Sequence, residues 1–340
     1  MNYPQRISWN SAVLALEFEA VFNLKNKAPL LPREKAKIRL ATVLVWTVAF
    51  APPAWSALPT PDKMSEAKTL IDARELDSAE KIIVAEMMTA PRDADWITLL
   101  AQVRLGQNRT REALKLLEDA DQLAGITAAR AMLISLAESQ AGHMDLAEPP
   151  LRTAIRLDPL NASAHYFLGR LLYTDNRFDE SIEETNKAIS LAPGFVRAYE
   201  NLGLCYEGKH DPAEAERWYL KAIDREATSE NKTEWPMLDL ATMMIHENRY
   251  AEAKPYLTQA LAINPRNTES LLQMGILLER TGDLKGALDQ FRAAIQSDQA
   301  GDQPGRASAY YQAARLCKKL GYADEATQDF KKFNEIHDKH

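Results

Sequence analysis

The chain has 340 residues, of which 46% are hydrophobic and 26% charged, a composition that excludes an intrinsically disordered protein. Its net charge of −7 conceals an excess of bases in residues 1–57, so the remaining sequence is more acidic than the total suggests. That remainder has no arginine-rich stripe, and we therefore do not expect nucleic acid as a partner. The low glycine count of 13 disfavours a loop-rich or β-rich architecture.

The N-terminal region has the layout of an export signal. Residues 33–39 are basic, the twelve residues Leu40–Ala51 carry no charge, and two prolines and small residues follow up to Ala57. This apolar run is shorter than the roughly 20 residues that a helix needs to cross a bilayer. We therefore interpret residues 33–57 as a signal-peptide-like segment, cleaved after Ser56 or Ala57, and expect a periplasmic or secreted protein. A buried helix or a single-pass anchor in the inner membrane is the alternative.

The first 32 residues do not fit this layout, because a signal normally begins the chain. They match nothing in the sequence that follows. We interpret residues 1–32 as unstructured or as the product of a start codon placed too early, and an unusually long leader is the alternative.

Downstream of residue 57 the sequence repeats itself. Small residues recur at intervals of 34, with one interval of 38 and one of 39. In most units a large residue follows four positions later, a second small residue seven positions later, and often a proline or glycine after twelve. The first small residues of the units are Ala79, Ala113, Ala147, Ser181, Ala215, Ala253, Ala287 and Ala326.

Each unit is interpreted as two antiparallel helices joined by a short turn. Twelve and thirteen positions before the small residue, the strongest units carry a pair such as Leu202-Gly203 on the first helix. Small residues on both helices let the two backbones approach closely. Proline after the second helix ends that helix and redirects the chain into the next unit.

This pattern closely resembles the tetratricopeptide repeat family. The residues that carry the motif are Tyr166, Phe167, Leu168, Gly169 and Pro193 in one unit and Tyr199, Leu202, Gly203, Tyr206, Ala215, Tyr219 and Ala222 in the next. The resemblance implies an all-α protein, an α-solenoid coiled as a right-handed superhelix, with about eight helical hairpins over residues 58–340. Departures from the motif predict a shortened first helix, enlarged loops near residues 227–233 and 299–305, and a final helix at about Ala323–Asp338.

The sequence offers no catalytic constellation. Its six histidines form no HExxH motif, and GxSxG and GxxxxGK[ST] are both missing. We therefore expect no enzymatic activity, no metal and no cofactor. The two cysteines, Cys205 and Cys317, are interpreted as buried thiols on separate helices, which excludes a disulfide framework.

In the family, first helices line a concave surface, and candidate ligand-binding residues are found on them here. Aromatic rings offer apolar contact and guanidinium groups pair with carboxylates, so their mixture suits a peptide with at least one acidic group. Ordinary solvent-facing helix positions are the alternative, and Arg170 and Trp235 are expected to lie outside the helix packing. The candidates are Tyr166, Arg170, Tyr173, Arg197, Asn201 and Trp235.

The expected function is a non-catalytic scaffold or adaptor that binds a peptide segment or a partner domain in this groove. One alternative is an accessory member of a protein O-glycosylation (glycosyltransferase) system, named by analogy with larger relatives. The other is a membrane-tethered assembly factor. This last possibility differs from the scaffold only in retaining Leu40–Ala51, and a membrane is an expected partner only in that case.

Overall fold

The computed structural model describes residues 62–227, 232–297 and 304–338, and every regular element among them is an α-helix. The chain divides into two units, unit 1 up to Leu171 and unit 2 from Leu172. The helices are α1 (Lys63–Asp72), α2 (Leu76–Thr89), α3 (Ala94–Gly106), α4 (Thr110–Ala124), α5 (Ala128–Gln140), α6 (Met144–Leu157), α7 (Ala162–Thr174), α8 (Phe178–Leu191), α9 (Val196–Gly208), α10 (Pro212–Ala227), α11 (Trp235–His246), α12 (Tyr250–Ile263), α13 (Thr268–Arg280), α14 (Leu284–Ser297), α15 (Pro304–Leu320) and α16 (Ala323–His337).

Successive pairs of these helices form hairpins 1 to 8, from α1 and α2 to α15 and α16. The predicted all-α solenoid class is confirmed. The unit boundary falls inside α7, the first helix of hairpin 4. The shortened first helix is also confirmed, since α1 has 10 residues and α3 and α5 have 13 each. The last helix ends at His337, one residue before the predicted end.

The repeated small residues form the packing surface of the second helix in each hairpin. All eight first small residues are buried, from Ala79 on α2 to Ala326 on α16. In hairpins 2 to 7 the residue seven positions later is also a buried alanine. The large residue between them, such as Leu117 or Phe291, is almost fully buried as well. This small–large–small ladder leaves no room for added atoms between paired helices.

Two glycines on first helices show how tight this packing is. A Cβ atom added to Gly203 on α9 would lie 2.5 Å from the ring of Tyr219 on α10. A Cβ atom added to Gly275 on α13 would lie 2.4 Å from the ring of Phe291 on α14. Carbon atoms do not approach so closely, so these two first helices need glycine opposite the aromatic ring of the second helix.

The turn within each hairpin has the same backbone conformation in all eight. The residue five positions before the first small residue adopts a positive φ, between 59° and 93°. The N–H of the next residue donates to the carbonyl five residues earlier, as in Arg109 to Arg104 at 2.8 Å, which is the Schellman pattern. Glycine occupies only three of these positions, whereas Arg74 and His210 adopt the left-handed conformation despite a cost of about 1 kcal/mol.

Prolines end the second helices where the sequence predicted. Helices α2, α6, α8 and α12 each end two residues before a proline, at Pro91, Pro159, Pro193 and Pro265. The predicted enlarged loops fall largely on residues 228–231 and 298–303, which lie outside the described residues.

Two arginines join neighbouring hairpins in unit 1. The Arg104 guanidinium on α3 donates to both carboxylate oxygens of Glu80 on α2, each at 2.7 Å. This contact, helped by an amide hydrogen bond from Gln107, lowers the pKa of Glu80 from 4.5 to about 2. Arg130 at the start of α5 donates to Asp121 on α4 at 2.6 Å and to the carbonyl of Gly125. Both contacts hold the second helix of one hairpin against the first helix of the next.

Both cysteine thiols are buried, as predicted. At the last hairpin, the ring of Tyr311 on α15 lies 6.1 Å from that of Phe330 and 5.4 Å from that of Phe333 on α16. Over the described ranges, no helix combines the length and the hydropathy needed to span a bilayer. The predicted signal-like segment, residues 33–57, and residues 1–32 lie outside the described residues.

Candidate partner-binding face

Two of the six candidate residues lie on the unit 1 part of α7 and are buried. Tyr166 is 2% exposed and Arg170 is 1% exposed. The ring of Tyr166 meets that of Phe167 edge-on, with 5.2 Å between centroids. The expectation that Arg170 lies outside the helix packing is wrong, because its long side chain is among the largest that the fold buries completely.

Asn201 on α9 is a third buried candidate, and its amide is used inside the protein. Its Nδ2 donates to Thr185 Oγ1 at 2.7 Å and to Ser181 Oγ at 3.3 Å, both on α8. Ser181 Oγ also lies 3.0 Å from Cys205 Sγ on α9. A buried amide needs such partners, so the position of Asn201 is explained by the packing of α9 on α8. Binding of a ligand by any of the six residues stays a prediction.

The other three candidates are half-buried and belong to unit 2. Arg197 and Trp235 occupy the same place in the repeat, each six residues before the small residue of its first helix, Gly203 on α9 and Ala241 on α11. Equivalent positions of successive hairpins are neighbours in a repeat stack. Arg197 and Trp235 therefore hold equivalent positions on the first helices of hairpins 5 and 6.

Apolar packing fixes the rings of two half-buried candidates. Trp235 and Tyr173 both pack against one core cluster of unit 2, whose buried members include Leu204 and Leu238. The expectation that Trp235 lies outside the helix packing is therefore wrong as well. The ring of Tyr173 also lies 5.9 Å from that of Phe178. A ring that packs on the core along its inner edge and is exposed to solvent along its outer edge can contact a partner with little loss of side-chain entropy.

Two buried carboxylates beside this face were missed by sequence reasoning. Glu226 at the end of α10 is 2% exposed and accepts a hydrogen bond from the Thr233 N–H. Burial raises the pKa of the Glu226 carboxyl, while the Thr233 N–H and the positive charge of Arg197 oppose this rise. Glu234 accepts from the side-chain amides of Asn264 at 2.8 Å and Asn267 at 2.7 Å.

No sequence signal marked these two acids, because acidic residues near helix ends usually lie on the solvated surface. The hydrogen bonds of Glu234 connect the junction between α10 and α11 to the junction between α12 and α13. The backbone at the start of α11, which presents Trp235, is thereby held in place. The arrangement offers a guanidinium group for a carboxylate and a ring for apolar contact. Across the described part of the chain, no cluster of His, Cys, Asp and Glu suits a metal ion.

The described helices define a helical-hairpin repeat protein. Four tetratricopeptide repeat models match residues 132–194, 195–266, 244–303 and 307–339, which together exceed half of the chain. The chain belongs to the tetratricopeptide repeat family.

Three known proteins illustrate the similarity. Type IV pilus assembly protein PilF of Pseudomonas aeruginosa is 29% identical over 151 residues, or 43% of this chain and 57% of PilF. Human protein O-mannosyl-transferase TMTC3 is 27% identical over 138 residues, or 40% of this chain and 15% of TMTC3. A solved tetratricopeptide repeat protein from Parabacteroides merdae matches 69% of this chain and 91% of its own, with a TM-score of 0.57 and 16% identity.

The structural match shows the fold alone, given its low identity. The chain spans only 15% of TMTC3 and 57% of PilF. The family and its fold support a protein-interaction scaffold as the broad function.

Proposed function

We propose that this chain is a non-catalytic scaffold that binds an extended segment of a partner protein on the first-helix face of hairpins 5 and 6. The observation that carries the proposal is the shared repeat position of Arg197 and Trp235, both half-buried, on neighbouring first helices. Trp and Arg are the residues in which binding energy at interfaces is most concentrated. The second helices, in contrast, use their apolar ladder to pack within the hairpins.

The partner segment in this proposal carries an acidic group and an apolar side chain. The acidic group pairs with the Arg197 guanidinium, and the apolar side chain packs on Trp235. Tyr173, which packs on the same cluster as Trp235, extends the apolar part of the surface. The three buried candidates, Tyr166, Arg170 and Asn201, are not exposed to a partner and have no part in this proposed contact.

A second candidate function is that of an assembly factor tethered to a membrane. It is favoured by the similarity to a protein named for type IV pilus assembly. The scaffold itself is the same in both cases, and only the fate of Leu40–Ala51 differs. We propose export of the chain through residues 33–57, with a periplasmic or secreted location after cleavage and an inner-membrane anchor without it. For an O-glycosylation role the only support is a match to 15% of TMTC3.

Site-specific photocrosslinking tests the proposed face. A photoreactive benzoylphenylalanine replaces Arg197 or Trp235 on first helices, or Arg217 or Leu220 on α10 as second-helix controls, in the full chain in its native cell. We expect one protein to be crosslinked from both first-helix positions, because they are neighbours on one face. The same protein should be missing from the two controls, whose side chains are exposed. Crosslinking of that protein from the α10 positions alone would contradict the proposal.

A further inference from the structure

Five large apolar side chains are exposed together at the turns between the hairpins of unit 1. Met88 is 82% exposed and Leu160 is 74% exposed, and the other three are nearly half-exposed. Single exposed apolar residues are common on soluble proteins, but clusters of them mark contact surfaces. We call this cluster the apolar edge; its members are Met88, Leu123, Ile126, Leu157 and Leu160.

The repeat places these residues on one edge of unit 1. Leu123 and Leu157 are 34 residues apart, as are Ile126 and Leu160, so each pair holds equivalent positions of hairpins 2 and 3. Equivalent turns of stacked hairpins lie next to each other, roughly 10 Å apart. In agreement, the amide of Asn161, in the turn after hairpin 3, contacts the sulfur of Met132 in the first turns of α5 at 3.7 Å.

The chain enters unit 1 at this same edge. Lys63 at the start of α1 forms an ion pair with Glu86, which lies two residues before Met88 on α2. Only ten residues separate the uncharged run Leu40–Ala51 from Asp62. Ten residues span at most about 36 Å, so a membrane-bound apolar run would keep Asp62, and with it the Met88 end of the edge, near the bilayer.

The form and charge of the edge favour a lipid surface over a protein groove. Its side chains are exposed at successive turns, as an insertion surface requires. Exposed Arg92 and Arg156 lie beside Asp93 and Asp158, and exposed Asp119 precedes Leu123, so the edge has no excess of positive charge. Such a surface gains from burying apolar area among acyl chains and gains little from anionic headgroups.

We propose that the apolar edge inserts into the interfacial layer of a lipid bilayer and orients unit 1 on it. This contact is separate from the partner-binding face, and it would stand if the proposed scaffold function failed. The occupant is the lipid itself, held by Leu, Ile and Met side chains. Neither a basic patch nor a specific headgroup is involved.

Fluorescence quenching in the full chain tests this contact. The native thiols Cys205 and Cys317 are buried, so an added surface cysteine can be labelled selectively. An environment-sensitive dye is placed on Leu160→Cys at the edge or on Ala141→Cys at the opposite edge of unit 1, with phosphatidylcholine vesicles that carry nitroxides on their acyl chains. We expect strong quenching and a blue shift at position 160, little change at 141, and no dependence on added anionic lipid or salt.

A charge introduced at the edge supplies a second readout. Ile126→Asp, at an exposed position, should lower the quenching at position 160 severalfold, because a carboxylate resists entry into the acyl layer. Ala141→Asp adds the same charge on the opposite edge and should leave the quenching unchanged.

Three results would overturn the proposal. Equal quenching at positions 141 and 160 would mean that no edge is preferred. A blue shift at position 160 that grows with protein concentration without vesicles would show that a second copy covers the edge. A blue shift without vesicles at every concentration would show that another segment of the same chain covers it.

Discussion

Replacing Gly203 with alanine is expected to lower the free energy of unfolding by about 1–3 kcal/mol, although alanine is the better helix former. The added Cβ atom would stand 2.5 Å from the Tyr219 ring, which is itself fully buried and cannot move aside freely. The Gly275→Ala variant should lose a similar amount against Phe291. Urea denaturation followed by helical circular dichroism measures both changes.

Gly194 provides the matched control. No heavy atom lies within 4 Å of a Cβ added there, and its φ is not in the left-handed region. Gly194→Ala should therefore be neutral or stabilising by up to about 1 kcal/mol. Tyr219→Leu replaces the ring with a smaller side chain and should reduce the loss of stability caused by Gly203→Ala. The effects of the two substitutions on the free energy of unfolding should therefore not be additive. If Gly203→Ala behaved like Gly194→Ala, the register of the hairpin packing would be wrong.

The Glu80→Gln substitution is expected to cost about 2 kcal/mol of stability at neutral pH. The Arg104 guanidinium lowers the pKa of Glu80 from 4.5 to about 2, a shift that corresponds to at most about 3.4 kcal/mol at 1.36 kcal/mol per unit. The Glu80 side chain is 28% exposed, so solvent screening reduces that figure. Glutamine keeps the shape of the side chain but loses the charge that Arg104 binds.

The pH dependence identifies the cause. A carboxylate whose pKa is lowered by folding stabilises the protein fully above its unfolded pKa, near 4.5, and loses this effect as the pH falls towards 2. The difference in unfolding free energy between wild type and Glu80→Gln should therefore be constant above about pH 5.5 and shrink below pH 4.5. Glu118→Gln on the exposed side of α4 is the control and should leave the free energy of unfolding unchanged over this pH range. A difference that persisted unchanged at low pH would assign the loss to packing and not to charge.

The helix positions could be predicted from sequence because the repeat signal is local. Ala113, Leu117 and Ala120 lie on one helix, and their spacing alone defines its packing face. The same spacing, repeated at intervals of 34 and once each of 38 and 39, located the second helices of all eight hairpins. Glycine signalled the positive φ of the turn in three hairpins. Asn108, Asn176 and Asn248 were a further signal, because asparagine also favours this conformation, whereas Arg74 and His210 gave none.

The burial of the candidate side chains could not be predicted in the same way. Asn201 and Arg170 read as surface residues, because a polar side chain on a helix ordinarily faces water. The partners that bury Asn201 come from the preceding hairpin. One signal was available, because Ser181 and Thr185 replace the usual alanine and large apolar residue of the ladder. Two buried polar residues need a polar partner, which the next helix supplies. The spacing of 34 residues that places Ile126 and Leu160 at equivalent positions of the apolar edge was also visible in the sequence.

The affinity of the partner for the double variant Arg197→Ala/Trp235→Ala tests the central claim most directly. For the protein that is crosslinked from both positions, each truncation should cost about 1–3 kcal/mol, so the double variant should bind at least about tenfold more weakly than wild type. Added salt should weaken wild type more than Arg197→Ala, since it screens the charge pair. The matched pair Arg217→Ala/Leu220→Ala removes an arginine and an apolar residue from α10 and should bind like wild type. Full-strength binding by the first-helix variant, with loss in the α10 variant, would contradict the account.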